Sequence, residues 1–390
     1  MSGADRVLVT GVGMHTGHGD GGSTWAAIRE GRSALTGEHA WTSVDAFVAA
    51  PSPDPAPTEF LADRKSIKYM GPSTQMAVLA AGRALRDAGL ADEASDESSA
   101  SARKATALFA ATGPIAFDVE QALASVGHEA AADLVGHGRE GLRRCHPLLP
   151  FKMLLNMPLG LISIVFGIKG TNLILYPGAE QGACAIRHAV RGIRQGRFQR
   201  ALVGGSAQTL GLAPLLNLRR AGRLAASPAE AHPFSVRHAG WAPADQAAFL
   251  VLESEAEASR RRAPAYAVVD EIRTLGAGAV EQLWASLPKQ PAHVLVSTGS
   301  LSAAEVEADR ERAQAVWGRS GKLASADGLL GVAPAASFCL STALACLAMR
   351  DGLLPGPLVE DGAAVPVKRA LVSFHDEHAA AAAVLSEATR

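Results

Sequence analysis

Ile193-Arg-Gln-Gly196-Arg-Phe-Gln-Arg-Ala201-Leu-Val-Gly-Gly205 is a helix end, a glycine stop and a strand within thirteen residues. Upstream, Gln181 to Gln195 repeats apolar residues at helical spacing, and Gly196 supplies the stop. Downstream, the short apolar run Ala201-Leu202-Val203 ends on paired glycines, as a strand covered on both faces does. A helix returning at once into a buried strand is the unit of a layered α/β protein. The same alternation continues on both sides. Strands are predicted at Arg6–Gly11, Thr106–Thr112, Asn172–Tyr176, Ala248–Leu252, Tyr266–Glu271, Val294–Ser297 and Ala370–Phe374. Helices are predicted at Ser23–Glu30, Ser73–Ala88, Ala303–Trp317 and Ala335–Met349, the last rich enough in Ala and Leu to be buried all round. Glu38–Phe60, rich in Pro, Asp and Ala, reads as an irregular loop, and Ala91–Arg103 as a mobile Ser/Asp/Glu connector.

Composition narrows the function classes. With 48% hydrophobic and 19% charged residues among 390, the chain can bury a large core, which excludes global disorder. Lys+Arg (37) and Asp+Glu (38) nearly cancel, which argues against a nucleic-acid binder or a polybasic membrane anchor. Four cysteines do not make a disulfide framework in a chain this long. The apolar run Leu154–Ile168 is shorter than the ~20 residues of a membrane span and is interrupted by Asn156 and Pro158. Met1–Arg6 lacks the features of a signal peptide, so a cytoplasmic protein is expected. His128, His137 and His146 lack compact ligand spacing, and no metal is expected.

Several segments, in order, resemble the β-ketoacyl synthase branch of the thiolase superfamily. They are Arg6–Gly13, Trp25–Ser33, Asn156-Met157 with Phe166–Gly170, Ile193–Gly205, His232–Ser235 with Gly240-Trp241, Ala248–Glu253 and Ser373-Phe374. The resemblance covers nearly the whole chain. It implies an α/β thiolase-like fold in which two similar α/β halves, 1–255 and 256–390, form a five-layered αβαβα core.

The same resemblance implies a Cys nucleophile at a helix N-terminus and two histidines that polarise the thioester. Nine residues after Gly170, and equally seventeen before Gly196, the nucleophile slot holds Ala179. The first histidine slot, within Val296-Ser297-Thr298-Gly299-Ser300, holds Val296. The second, before Leu329-Leu330-Gly331, holds Gly328. Cys184 falls five residues after the nucleophile slot and reads as a buried helical cysteine. The family's flexible glycine loop is replaced by His375-Asp376-Glu377-His378, whose side chains could serve acid–base chemistry or, equally, form a solvated or salt-bridged loop. Glu180 and Gln181 are the other polar candidates.

A scaffold kept without its catalytic set resembles the chain-length factors of type II polyketide synthases, the non-condensing partners of ketosynthases. That resemblance implies a heterodimer with an active ketosynthase, substrates on the phosphopantetheine of an acyl carrier protein, and no cofactor of its own. Phe109, Phe117, Met153, Leu154, Asn156, Met157 and Gln181 are the candidates for contact with the acyl chain. Two other readings stay open. One is a repurposed enzyme using Glu180, His375, Asp376 or His378 for acyl transfer, decarboxylation or cyclisation. The other is a homodimeric scaffold that holds acidic carrier proteins on Arg187, Arg191, Arg194, Arg197 and Arg200.

Overall fold

The structure is a computed structural model and describes residues 6–41, 44–90, 100–113, 133–141, 143, 146–176, 178, 180–317 and 321–388. Phe117, Ala179 and most of the connector at 91–103 lie outside the described residues.

Ten strands form one mixed sheet system. They are β1 Val7–His15, β2 Thr106–Thr112, β3 Asn172–Leu175, β4 Arg200–Gln208, β5 Asp245–Ser254, β6 Ala267–Gly276, β7 Val294–Thr298, β8 Lys322–Ala324, β9 Arg369–His375 and β10 Ala379–Glu387. Their spatial order is β3-β2-β4-β5-β1 and then β6-β10-β9-β7-β8. Read from its outer edge, each half therefore carries its strands in the relative order third, second, fourth, fifth, first. The pairing directions match too. β2 is parallel to β3 and β4, as β7 is parallel to β8 and β9, and the remaining pairs are antiparallel. The halves meet through the short antiparallel contact Leu8↔Val268 and Val9↔Ala267.

Six helices repeat with the strands: α1 Pro72–Asp87, α2 Met157–Phe166 and α3 Gln181–Arg194 in the first half, α4 Val280–Ala285, α5 Ala303–Trp317 and α6 Pro334–Asp351 in the second. Side-chain alternation along the strands assigns the layers. Leu108, Ala110, Leu202, Phe249 and Val251 face α1 and α2. Phe109, Ala111, Ala201, Val203 and Leu250 face the opposite way, onto α3 and α6. Those two helices also meet Val294, Val296, Ala370 and Val372 of the second sheet. Leu295 and Leu371, on that sheet's far face, meet Trp284 of α4 and Val306 and Trp317 of α5. The result is the αβαβα stack, with α3 and α6 sandwiched at its centre.

Small residues make the sandwich possible. A Cβ on Gly13 of β1 would lie 2.2 Å from the Ala80 carbonyl, so α1 rests directly on the strand. A Cβ on Gly205 of β4 would lie 2.0 Å from the Ala335 carbonyl, so α6 does the same from the other face. Every residue of α6 from Ala335 to Met349 is buried. The stretch Glu38–Phe60 differs from its expectation: Thr36–Trp41 and Val44–Ala49 pair as a β-hairpin, whose Phe47 and Ala49 bury against Leu215. Cross-strand pairing and burial override the loop-like composition there.

Candidate functional site

Ligands of α/β sheets bind beyond the carboxyl ends of the parallel strands. Here β4 runs out at Gln208 and β9 at His375, beside the N-terminus of α6. Between them lies a cleft of about 300 Å³ lined by Thr209, Pro214, Leu218, Arg223, Pro334, Glu377 and His378.

The four residues His375 to His378 do not converge. His375 Nε2 lies 2.8 Å from the Oδ1 of fully buried Asp309, which also accepts from Ser297 Oγ at 2.7 Å and Arg312 at 3.2 Å. Burial opposes a charge on His375, but the Asp309 carboxylate overrides it and raises its pKa. Asp376 accepts the backbone N–H groups of His378 and Ala379 and so shapes the turn. Glu377 pairs with Arg223 at 2.9 Å, and the His378 side chain is exposed. The loop is salt-bridged and solvated, and among the described residues no group of three or more His, Cys, Asp or Glu could hold a metal ion.

Val296 and Gly328, the positions that the resemblance aligns with the two histidines, are both buried. Val296 is a buried strand residue in the central core. At Gly328 an added Cβ would lie 2.6 Å from His232 Cδ2 and 3.2 Å from its Nε2, so the imidazole of His232 stands where a side chain at 328 would begin. His232 Nδ1 accepts the Phe234 N–H at 3.2 Å, which places the proton of the neutral ring on Nε2. Burial, and then the nearby His238, lower its pKa and keep it neutral. Beside it, Asp327 draws the segments together. It accepts Gly299 N–H at 2.7 Å and Thr298 Oγ1 at 3.0 Å, while Trp241 Nε1 donates to the carbonyls of Gly299 and Ser300.

Among the described residues Asp327 has no cationic partner, and burial pushes its pKa up to about 6. The folded value lies above the unfolded one. Its favourable contribution is therefore complete below about pH 4 and is lost as pH rises through 6. Two units correspond to about 3 kcal/mol. Asp327→Asn can still accept from Gly299 and donate to Thr298. We expect it to be more stable than the parent above pH 6, with a flatter stability profile between pH 5 and 7 in denaturant titrations. Asp245, which burial also raises to about 6, contributes to the remaining slope, together with the shifted imidazoles of His232 and His375.

Other sequence candidates scatter. Phe109 is buried, stacked on His188 at 5.9 Å and beside Phe198, in the central layer. Met153, Leu154 and Asn156 are exposed and Met157 is partly buried, all on the approach to α2. Glu180 is the N-cap residue of α3, and Gln181 Nε2 donates to its carboxylate. Cys184 is half-buried one turn into α3, and burial raises its pKa. The arginine group separates as well. Arg200, the first residue of β4, is buried against Glu253, and Arg194, the last residue of α3, donates to the carbonyls of Val269 and Asp270. His232 and Asp327 escaped the sequence reading. So did an exposed basic turn, Arg64, Lys65 and Lys68, in which Lys68 lies over the Tyr69 ring and Tyr69 meets Phe151 edge-on.

The layered αβαβα fold defines a thiolase-type scaffold. The family model for the β-ketoacyl synthase N-terminal domain matches residues 4–258, and the chain belongs to the β-ketoacyl synthase family. Among curated relatives, the 3-oxoacyl-[acyl-carrier-protein] synthase 2 of Vibrio harveyi is 29% identical over 67% of this chain and 61% of its own length. The tetracenomycin polyketide synthase ketoacyl synthase beta subunit of Streptomyces glaucescens is 30% identical over the same shares. The chain thus spans about six-tenths of the length of the relatives it matches. Among solved structures, the ishigamide ketosynthase/chain length factor superposes with a TM-score of 0.80 at 19% identity, covering 99% of this chain and 100% of that one. A β-ketoacyl synthase from Burkholderia phymatum gives 0.79 at 20% identity, with the same coverage. At such identities the structural likeness shows the thiolase-like fold. No helix among the described residues is long and apolar enough to cross a membrane.

Proposed function

We propose that this chain is a ketosynthase-like subunit that does not condense acyl chains itself. It pairs with an active β-ketoacyl synthase and helps wall the site where a carrier-protein-bound chain is extended. The observation that supports the reading is that the positions aligned with the two histidines hold Val296, packed in the central core, and Gly328, against which the His232 ring stands. One relative, by its name, is a beta subunit of a polyketide synthase.

Phe151, Met153, Leu154, Ile164, Leu173 and Tyr176 are exposed large apolar groups, with Ile164 at 76%; Leu173 lies on β3, an edge strand among the described residues, and Ile164 on α2, which packs beside it. Such a band on a chain with this much core marks an interface. The basic turn Arg64–Lys68 adjoins it and suits an acidic carrier protein, whose phosphopantetheine would deliver the substrate.

The test is decarboxylation of malonyl-carrier protein by the isolated chain. No release of CO₂ above the enzyme-free rate is expected. Turnover that His232→Ala abolishes would replace this reading with that of a repurposed enzyme whose imidazole enters from a different element.

A further inference from the structure

A second cleft, of about 520 Å³, lies at the other end of α6. Pro334 borders the first cleft and Leu347 the second, so along the helix they are about 20 Å apart. The walls are the middle of β1 (Val12, Gly13), the C-terminal turns of α1 and α6, and the segment from Asp20 to Arg29. Four guanidinium groups face it, from Arg29, Arg83, Arg86 and Arg350, with three carboxylates, from Asp20, Glu59 and Asp87.

The carboxylates are already engaged. Asp20 accepts Ser23 N–H at 2.7 Å as the cap of the helix Gly21–Arg29. Asp87 takes the Val12 N–H at 2.8 Å and the Tyr266 hydroxyl at 2.8 and 2.9 Å. Glu59 pairs with Arg86 at 2.9 Å, and Arg350 with Asp351 at 2.8 Å.

Two cations remain. Arg83 is partly buried, yet its hydrogen bonds go only to the Met14 carbonyl at 2.9 Å and, at 3.5 Å, to His15 Nδ1. Among the described residues neither it nor Arg29 makes an ion pair, and the Arg29 side chain makes no hydrogen bond, with the Asp351 carboxylate acting on it only at a distance. Burial disfavours the charge on Arg83, and Asp20 and Glu59 offset this only at a distance. A partly buried guanidinium without an anion is costly unless one is supplied. Planar, forked donors converging from several walls match the oxygens of a phosphate, which accepts from several directions at once. The volume lies in the range of small-molecule sites. We propose that this cleft binds a phosphorylated small molecule, with Arg83 and Arg29 as the principal contacts and Arg86 and Arg350 at its rim.

The probe is inorganic pyrophosphate, titrated calorimetrically into the full chain at fixed ionic strength. Saturable binding is expected. Arg83→Lys keeps a donor for the Met14 carbonyl but loses the fork, and should weaken binding about tenfold, as should Arg29→Ala on the exposed side. Arg237→Ala, an exposed arginine on another loop, should leave it unchanged. The proposal is overturned by no saturable binding up to ~20 mM pyrophosphate, or by binding that neither Arg83→Lys nor Arg29→Ala weakens. Neither result bears on the partner-subunit reading.

Discussion

Glu253→Gln should destabilise the folded chain by about 3–5 kcal/mol, more than any single surface change. Glu253 is completely buried on β5 and accepts from the side chains of three residues. These are Thr10 Oγ1 at 2.6 Å, Arg200 Nε at 3.1 Å and Arg261 Nε at 2.8 Å. Thr10 sits at the irregularity between Val9 and Gly11 where β1 shifts register against β5. Arg261 also reaches the Ala88 carbonyl at the end of α1. The carboxylate thus ties β1, β4, β5 and α1 together. Removing its charge leaves Arg200, 4% exposed, without its main counter-ion. Denaturant titration measures the loss. A change below about 1 kcal/mol would show that the network contributes little. Replacing Glu253, Arg200 and Arg261 together by methionine should recover much of the loss, since an apolar cluster of similar volume carries no desolvation penalty.

Gly205→Ala is the second large effect, expected at roughly 3 kcal/mol or as failure to fold. The added methyl group would meet the Ala335 carbonyl oxygen at 2.0 Å and its carbon at 2.8 Å. Both are backbone atoms at the start of α6, and α6 cannot withdraw because it is buried between two sheets. The strain would fall on the first turn of the helix that borders the candidate site. Gly276→Ala, where nothing lies within 4 Å, is the control and should stay within about 0.5 kcal/mol of the parent. Equal stabilities of the two variants would contradict the close approach of α6 to β4.

Most of the layered architecture was legible because its signals are local. Val294–Ser297 and Ala370–Phe374 are short apolar runs, and both became strands. Ala335–Met349 lacks a polar face, and it became the fully buried α6. Strand β10 was not legible. Ala379-Ala-Ala-Ala-Ala-Val384 has helical propensity, yet it pairs along the whole of β9 and β6. Its alternating alanines face α6 on one side and the Trp284–Trp317 cluster on the other. Space between two helical layers selects small residues there, and that space exists only after folding. The matching strand order of the halves was hidden likewise, because the repeat lies in the topology rather than in residue identities. At the site, the positions aligned with the family's catalytic residues were named by counting along the sequence. That His232 stands against Gly328 could not be read there, since the two lie far apart along the chain and the strands and helices folded between them set the approach.

The partner-subunit reading is tested most directly by co-expressing the tagged chain with an active β-ketoacyl synthase from the same gene neighbourhood and measuring the mass of the purified species. A one-to-one complex is predicted, and Leu173→Glu with Ile164→Glu, on the exposed band beside β3, should dissociate it. A stable homodimer that excludes the synthase, or a complex indifferent to both substitutions, would contradict the reading.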